Sequence, residues 1–86
     1  MIYRIRFTPR ANRKFRDLPR AVQVRLTMKI DGLSVNPRPN GSKKLNEEDA
    51  LYRIRVGDYR VVCQIQDKAL LVLILKVGHR RDIYLR

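Results

Sequence analysis

Acidic residues are scarce in this chain: 8 Asp and Glu stand against 20 Lys and Arg, for a formal net charge of +12. Cysteine and histidine are scarcer still, at 1 each. A lone cysteine, Cys63, cannot staple the chain internally, and its place inside a strand-like run makes it a buried structural thiol, with no catalytic role. One histidine, one cysteine and carboxylates that gather only in "NEEDA" do not make a metal site. A nucleophilic triad and a glycine-rich phosphate loop are also missing. Long hydrophobic runs are absent as well. "ALLVLILKV" is too short to cross a bilayer, and the N-terminus begins with alternating charges where a secretory signal would be apolar. The expectation is a soluble, cytoplasmic protein with no metal, no cofactor and no membrane contact.

What is present is a compact, very basic chain. Its 86 residues, 44% hydrophobic and 33% charged, fit one small globular domain spanning 1–86. A charge of +12 exceeds what solubility needs and favours a polyanionic partner. "IYRIRF" alternates, with Tyr3, Ile5 and Phe7 on one face and Arg4 and Arg6 on the other, as a half-buried strand does. Thr8 offers an N-cap, Pro9 suits the first helical position, and Ala11, Phe15 and Leu18 recur at helical spacing. Pro19 breaks that helix and can start a second, striped by Val22, Leu26, Ile30 and Leu33, before "NPRPNG" ends regular structure. The segment from Asn36 to Ala50 has no period and reads as an exposed basic loop. Three strands follow, at about Leu51 to Val56, Tyr59 to Gln66 and Leu70 to Val77. The class is α+β: a strand, then a helical hairpin packed on one face of a mainly antiparallel sheet, in the order β-α-α-β-β-β.

The stretch "LYRIRVGDYRVV" carries three arginines on one short hairpin. Gly57 and Asp58 suit a two-residue turn with glycine first, and closing it there pairs Val56 with Tyr59. Arg55 then faces Arg60, Ile54 faces Val61 and Arg53 faces Val62. Side chains alternate, so Arg53, Arg55 and Arg60 share one side of the sheet, while Ile54, Val56, Tyr59, Val61, Cys63 and Ile65 take the other. The helical hairpin must cover the second side, which leaves the arginines on the uncovered one. Like charges directly opposite each other are destabilising, by up to about 1 kcal/mol, so the Arg55 and Arg60 pair points to an absent anion. Long arginine stems covering apolar sheet surface are the plainer alternative.

A second group of candidates ends the chain. In "VGHRRDIY", Gly78 permits a bend, after which His79, Arg80 and Tyr84 bring an imidazole, a fixed positive charge and a phenol close together. RNA cleavage by the ribose 2′-hydroxyl needs a base for that hydroxyl, cations for the phosphorane and an acid for the leaving oxygen. A metal is not required.

The order of elements, with "LYRIRVGDYRVVCQI" and "VGHRRDIY", resembles the RelE/ParE superfamily of bacterial toxins over essentially the whole chain, and its RelE branch most closely. The resemblance implies the RelE-like microbial RNase fold and a toxin of a type II toxin-antitoxin module that cleaves messenger RNA in the ribosomal A site. It implies three partners: a cognate antitoxin, the ribosome with messenger in its A site, and operator DNA only through the antitoxin complex. By resemblance, Arg53 and Arg55 occupy basic positions of the family, Arg60 is the arginine of the "YR" step, and Arg80 and Tyr84 are the C-terminal arginine and tyrosine. Well-known members carry lysines at the first two positions. Arginine cannot act as a base there, so that step passes to Tyr84, with His79 as competitor. Arg10, Arg13, Lys14, Lys43 and Lys44 are expected to dock on ribosomal RNA through phosphate contacts. The ParE branch, which poisons DNA gyrase, and a plain nucleic-acid-binding module are the alternatives.

Overall fold

A computed structural model describes residues 2–46 and 48–85, with positions 46 and 83–85 given by their backbone alone. The elements run β1 (Arg4–Phe7), α1 (Pro9–Arg16), α2 (Arg20–Gly32), β2 (Ser42–Asn46), β3 (Leu51–Val56), β4 (Tyr59–Gln66), β5 (Leu71–His79) and α3 (Arg80–Leu85). The strands form a five-stranded sheet in the order β1-β5-β4-β3-β2. β1 lies parallel to β5, and the other neighbours are antiparallel. The expected α+β class and helical hairpin are both present.

Local sequence explains the helices. The Thr8 hydroxyl accepts the Ala11 N–H at 3.1 Å, and Pro9 fills the first helical position, where a missing N–H costs nothing. Pro19 opens α2 without a side-chain cap. Gln23 ties the two helices together instead, its Nε2 donating to the carbonyls of Arg16 at 3.1 Å and Leu18 at 2.8 Å. Leu26, Ile30 and Leu33 from the expected stripe are buried with Ala11, and Phe15, Leu18 and Val22 pack against them. They meet Ile54, Val61, Cys63 and Ile65 from the predicted core face of the hairpin, joined by Val72, Ile74 and Val77 of β5. Truncating a side chain such as Ile54, which is fully buried, would cost about 2–5 kcal/mol.

Three features differ from the sequence expectation. The stretch expected as loop contains β2, an edge strand paired with β3. "SKKLN" shows no alternation because only the adjacent ladder makes it a strand, and its lysines blunt the open edge. β5 starts one residue later than expected because Leu70 turns the chain at a positive φ of 51°. It also runs on through Gly78, which pairs with Arg60 and does not bend. The chain turns beyond His79, where the Arg80 N–H donates to the Asp58 carbonyl at 2.8 Å and "RRDIYL" becomes α3. No helix among the described residues is long and apolar enough to cross a membrane.

Candidate active site

The β3–β4 turn positions the arginines. Gly57 has a φ of 61°, in the left-handed region that suits glycine, and a Cβ there would run into the Arg25 guanidinium of α2. The turn closes in the expected register: Val56 with Tyr59, Arg55 with Arg60, Ile54 with Val61 and Arg53 with Val62. Arg53, Arg55 and Arg60 therefore share the side of the sheet away from α1 and α2.

β2 adds a cation that pattern alone could not place. Lys43 pairs with Arg53 and so shares its side, whereas Lys44 pairs with Tyr52 and sets its Nζ 5.8 Å from that ring's centroid on the other side. Gly41, Ser42, Lys43, Arg53, Arg55 and Arg60 together line a recess of about 400 Å³. With Lys43, Arg53, Arg55 and Arg60 in its lining, such a recess favours an anion.

The arginines are not alike. Arg55 is exposed, but Arg60 is only 7% exposed and donates Nη1 to the carbonyls of Gly57 at 2.9 Å and Tyr59 at 3.0 Å. Folded over the turn, its charge is held at the recess by the backbone.

The same turn places the C-terminal candidates. Its Asp58 carbonyl receives the Arg80 N–H and so anchors the start of α3, with Arg80 exposed there. Position 84 lies one helical turn further along α3, and the Tyr84 side chain is outside the described residues. His79 is placed elsewhere. It pairs with Tyr59 on the helix-covered side, packs edge-on against that ring with centroids 5.4 Å apart, and accepts the Arg81 N–H on Nδ1 at 3.2 Å. It thus faces away from the recess.

Arg10, Arg13 and Lys14 are exposed on α1, in the layer covering the opposite side of the sheet, and do not join the recess. Lys76 was hidden in the run "LILKV". An extra residue in β5, between the partners of Val62 and Cys63, lets Ile74 and Val77 both reach the core while Lys76 pairs with Val62 on the arginine side.

The segment leading into β2 is tied down by Arg38. Its guanidinium donates to Asp67 at 2.8 and 3.2 Å and to the Tyr52 hydroxyl at 3.0 Å, and the Tyr3 hydroxyl donates to Asp67 at 2.6 Å. Arg38 and then Tyr3 hold the Asp67 carboxyl below its ordinary range. Burial pushes the Cys63 thiol up to about 12, against a smaller opposing pull from Arg38, so the cysteine is an inert core residue. Among the described residues no three His, Cys, Asp or Glu side chains gather where they could hold a metal ion.

The family model of the ParE toxin of the type II toxin-antitoxin system parDE matches residues 5–84. The chain belongs to the RelE/ParE toxin superfamily. Toxin RelG of Mycobacterium tuberculosis is 36% identical over 87 residues, covering 100% of both chains. The RelE–RelB complex of Pyrococcus horikoshii superposes with a TM-score of 0.83 at 32% identity, covering 93% of this chain and 97% of the other. The intact Escherichia coli RelBE toxin-antitoxin complex gives a TM-score of 0.78 at 29% identity, covering 90% and 95%. These likenesses place this RelE/ParE toxin on the RelE branch, with the recess on the exposed sheet face of a RelE-type fold.

Proposed function

We propose that this toxin is an endoribonuclease that cuts messenger RNA in the ribosomal A site and is neutralised by a cognate antitoxin. The observation that carries the reading is the recess in which Lys43, Arg53, Arg55 and Arg60 converge. Arg53 and Arg55 would hold and polarise the messenger backbone, and Arg60 and Arg80 would stabilise the phosphorane. Arg60 suits that role because its backbone bonds fix the guanidinium before substrate arrives. Tyr84, one turn from Arg80, would take or orient the 2′-hydroxyl proton. The step needs no metal, since the guanidinium groups supply the charge. Lys44 and the α1 cations Arg10, Arg13 and Lys14, lying away from the recess, would serve docking on ribosomal RNA through phosphate contacts.

The antitoxin would carry an acidic or amphipathic segment that wraps the chain, and operator DNA would be reached only through that complex. Both solved relatives described above are toxin-antitoxin complexes. The test is to incubate purified toxin with programmed ribosomes and map messenger ends. New ends confined to the A-site codon are expected, and intact messenger would overturn the reading. The ParE name of the matching family favours one rival, gyrase poisoning. Blocked supercoiling by purified gyrase, with messenger left intact, would establish it.

A further inference from the structure

We propose that Lys43 is the general acid of the cleavage step, giving its ammonium proton to the 5′-oxygen that leaves phosphorus. The inference rests on the nuclease reading and adds a residue to it. Of the four cations that line the recess among the described residues, Arg53, Arg55 and Arg60 are guanidinium groups, which keep their protons. They can grip the phosphate and neutralise the phosphorane. They cannot protonate the departing alkoxide, which is a far stronger base than an amine and needs a donor beside it. Ser42 also lines the recess, but it pairs with Ile54, whose side chain is in the core, so its hydroxyl lies on the other side of the sheet. Among the described residues that line the recess, Lys43 is the one with both a transferable proton and the correct side.

Its place in the sheet suits the in-line geometry of the reaction. The attacking 2′-oxygen and the leaving 5′-oxygen sit on opposite sides of phosphorus, so base and acid must approach from opposite directions. The strand order β5-β4-β3-β2 meets that demand. α3, with position 84, departs from the end of β5, and Lys43 stands on β2, at the far edge. Arg60 on β4 and Arg53 and Arg55 on β3 lie between them, where the phosphorane charge develops. Lys76 shares the arginine side but sits on β5, beyond Val62, and does not line the recess.

The step balances. A bond forms between the 2′-oxygen and phosphorus as the bond from phosphorus to the 5′-oxygen breaks. The 2′-hydroxyl proton passes to the base at Tyr84, and the Lys43 ammonium proton passes to the 5′-oxygen. The products are a 2′,3′-cyclic phosphate and a 5′-hydroxyl, and the Lys43 amine regains a proton from water.

The test compares single-turnover cleavage, on programmed ribosomes, of messenger carrying either the ordinary 5′-oxygen or a bridging 5′-sulfur at the scissile position. A thiolate leaves without a proton, so it does not need an acid. Lys43→Arg keeps the charge but loses the transferable proton. It should cut the oxygen substrate on the order of a hundredfold more slowly, and the sulfur substrate within a few-fold of the native rate. Lys43→Gln, lacking the charge as well, should slow both, the oxygen substrate more. Lys76→Arg should affect both substrates alike. Equal slowing of the two substrates by Lys43→Arg would overturn the assignment and make Lys43 a phosphate holder, and sulfur rescue of Lys76→Arg instead would overturn it in favour of Lys76. A native toxin that cuts neither substrate would sink the nuclease reading itself, and the inference with it.

Discussion

Arg55 and Arg60 face each other across the β3–β4 ladder, yet their surroundings predict opposite responses to mutation. Arg55 is exposed and stands directly opposite a like charge. Arg55→Gln should leave the melting temperature unchanged or slightly raised, because it removes a repulsion worth up to about 1 kcal/mol, while cleavage falls sharply. Arg60, 7% exposed and bonded to two carbonyls, should lose both properties together. Arg60→Gln is expected to destabilise by about 1.5–3 kcal/mol in urea unfolding as well as to impair cleavage. An Arg55→Gln variant that unfolds readily while its folded fraction cleaves normally would reverse the assignment. For Tyr84, Phe keeps the ring and drops the hydroxyl. Tyr84→Phe should slow single-turnover cleavage by roughly a hundredfold or more, with ribosome binding nearly unaffected. His79→Gln should cost much less, since His79 is on the far side of the sheet, bonded to the start of α3. Near-native cleavage by Phe at 84, combined with loss by Ala, would make the tyrosine a stacking platform.

At the scale of elements, the turn between β3 and β4 organises the candidate site. Gly57 gives its carbonyl to Arg60, Asp58 gives its carbonyl to the first amide of α3, and Arg25 of α2 lies against the Gly57 backbone. Gly57→Ala should therefore act twice, through the left-handed φ of 61° and through the Arg25 guanidinium. The backbone part costs about 1–2 kcal/mol wherever it is measured. The Arg25 part is small, since the end of a long side chain can move. In an Arg25→Ala background Gly57→Ala should lose only that smaller part of its cost, as a double-mutant cycle in denaturant would read. Complete relief would show that the turn tolerates a side chain and that the collision alone mattered. Cleavage should fall further than stability, because Arg60 and α3 both hang from this turn.

At the scale of the molecule, one network of hydrogen bonds joins distant parts of the chain. Arg38, Asp67, Tyr3 and Tyr52 link the segment before β2, the β4–β5 turn, the N-terminal strand and β3. The Asp67 carboxyl is held low by Arg38 and Tyr3, so its contribution is full above its unfolded range and disappears as pH falls through the folded value. The Tyr3 hydroxyl is shifted the other way, chiefly by its bond to Asp67, so its contribution is full below about 10 and fades as pH rises through the folded value. The side chains of Arg38 and Asp67 are 37% and 55% exposed, and solvent screening keeps their ion pair's effect below about 1 kcal/mol. Asp67→Asn should lower stability at neutral pH by a few tenths of a kcal/mol or more, and the gap from native should close below about pH 4. A gap that persists into acid would mean the network contributes through packing and not through charge.

The sequence by itself determined the class, the helices α1 and α2, the core face of the hairpin and its register, because each is written in local periodicity or in a turn of defined geometry. Alternation in "LYRIRVGDYRVV" and glycine before Asp58 are enough to put Arg53, Arg55 and Arg60 on one side. The resemblance to RelE/ParE toxins was legible in the same residues. Tertiary structure decided the rest. "SKKLN" has no pattern and becomes β2 only because β3 leaves an edge to pair with, and that pairing brings Lys43 into the recess and turns Lys44 away from it. Gly78 stays extended because Arg60 is its ladder partner, which sends His79 to the covered face, where a reading of neighbouring letters could not place it. Lys76 reaches the arginine side by way of an irregularity in the β4–β5 ladder. In each case the deciding contact joins segments far apart in the chain, and short-range periodicity carries no record of such contacts.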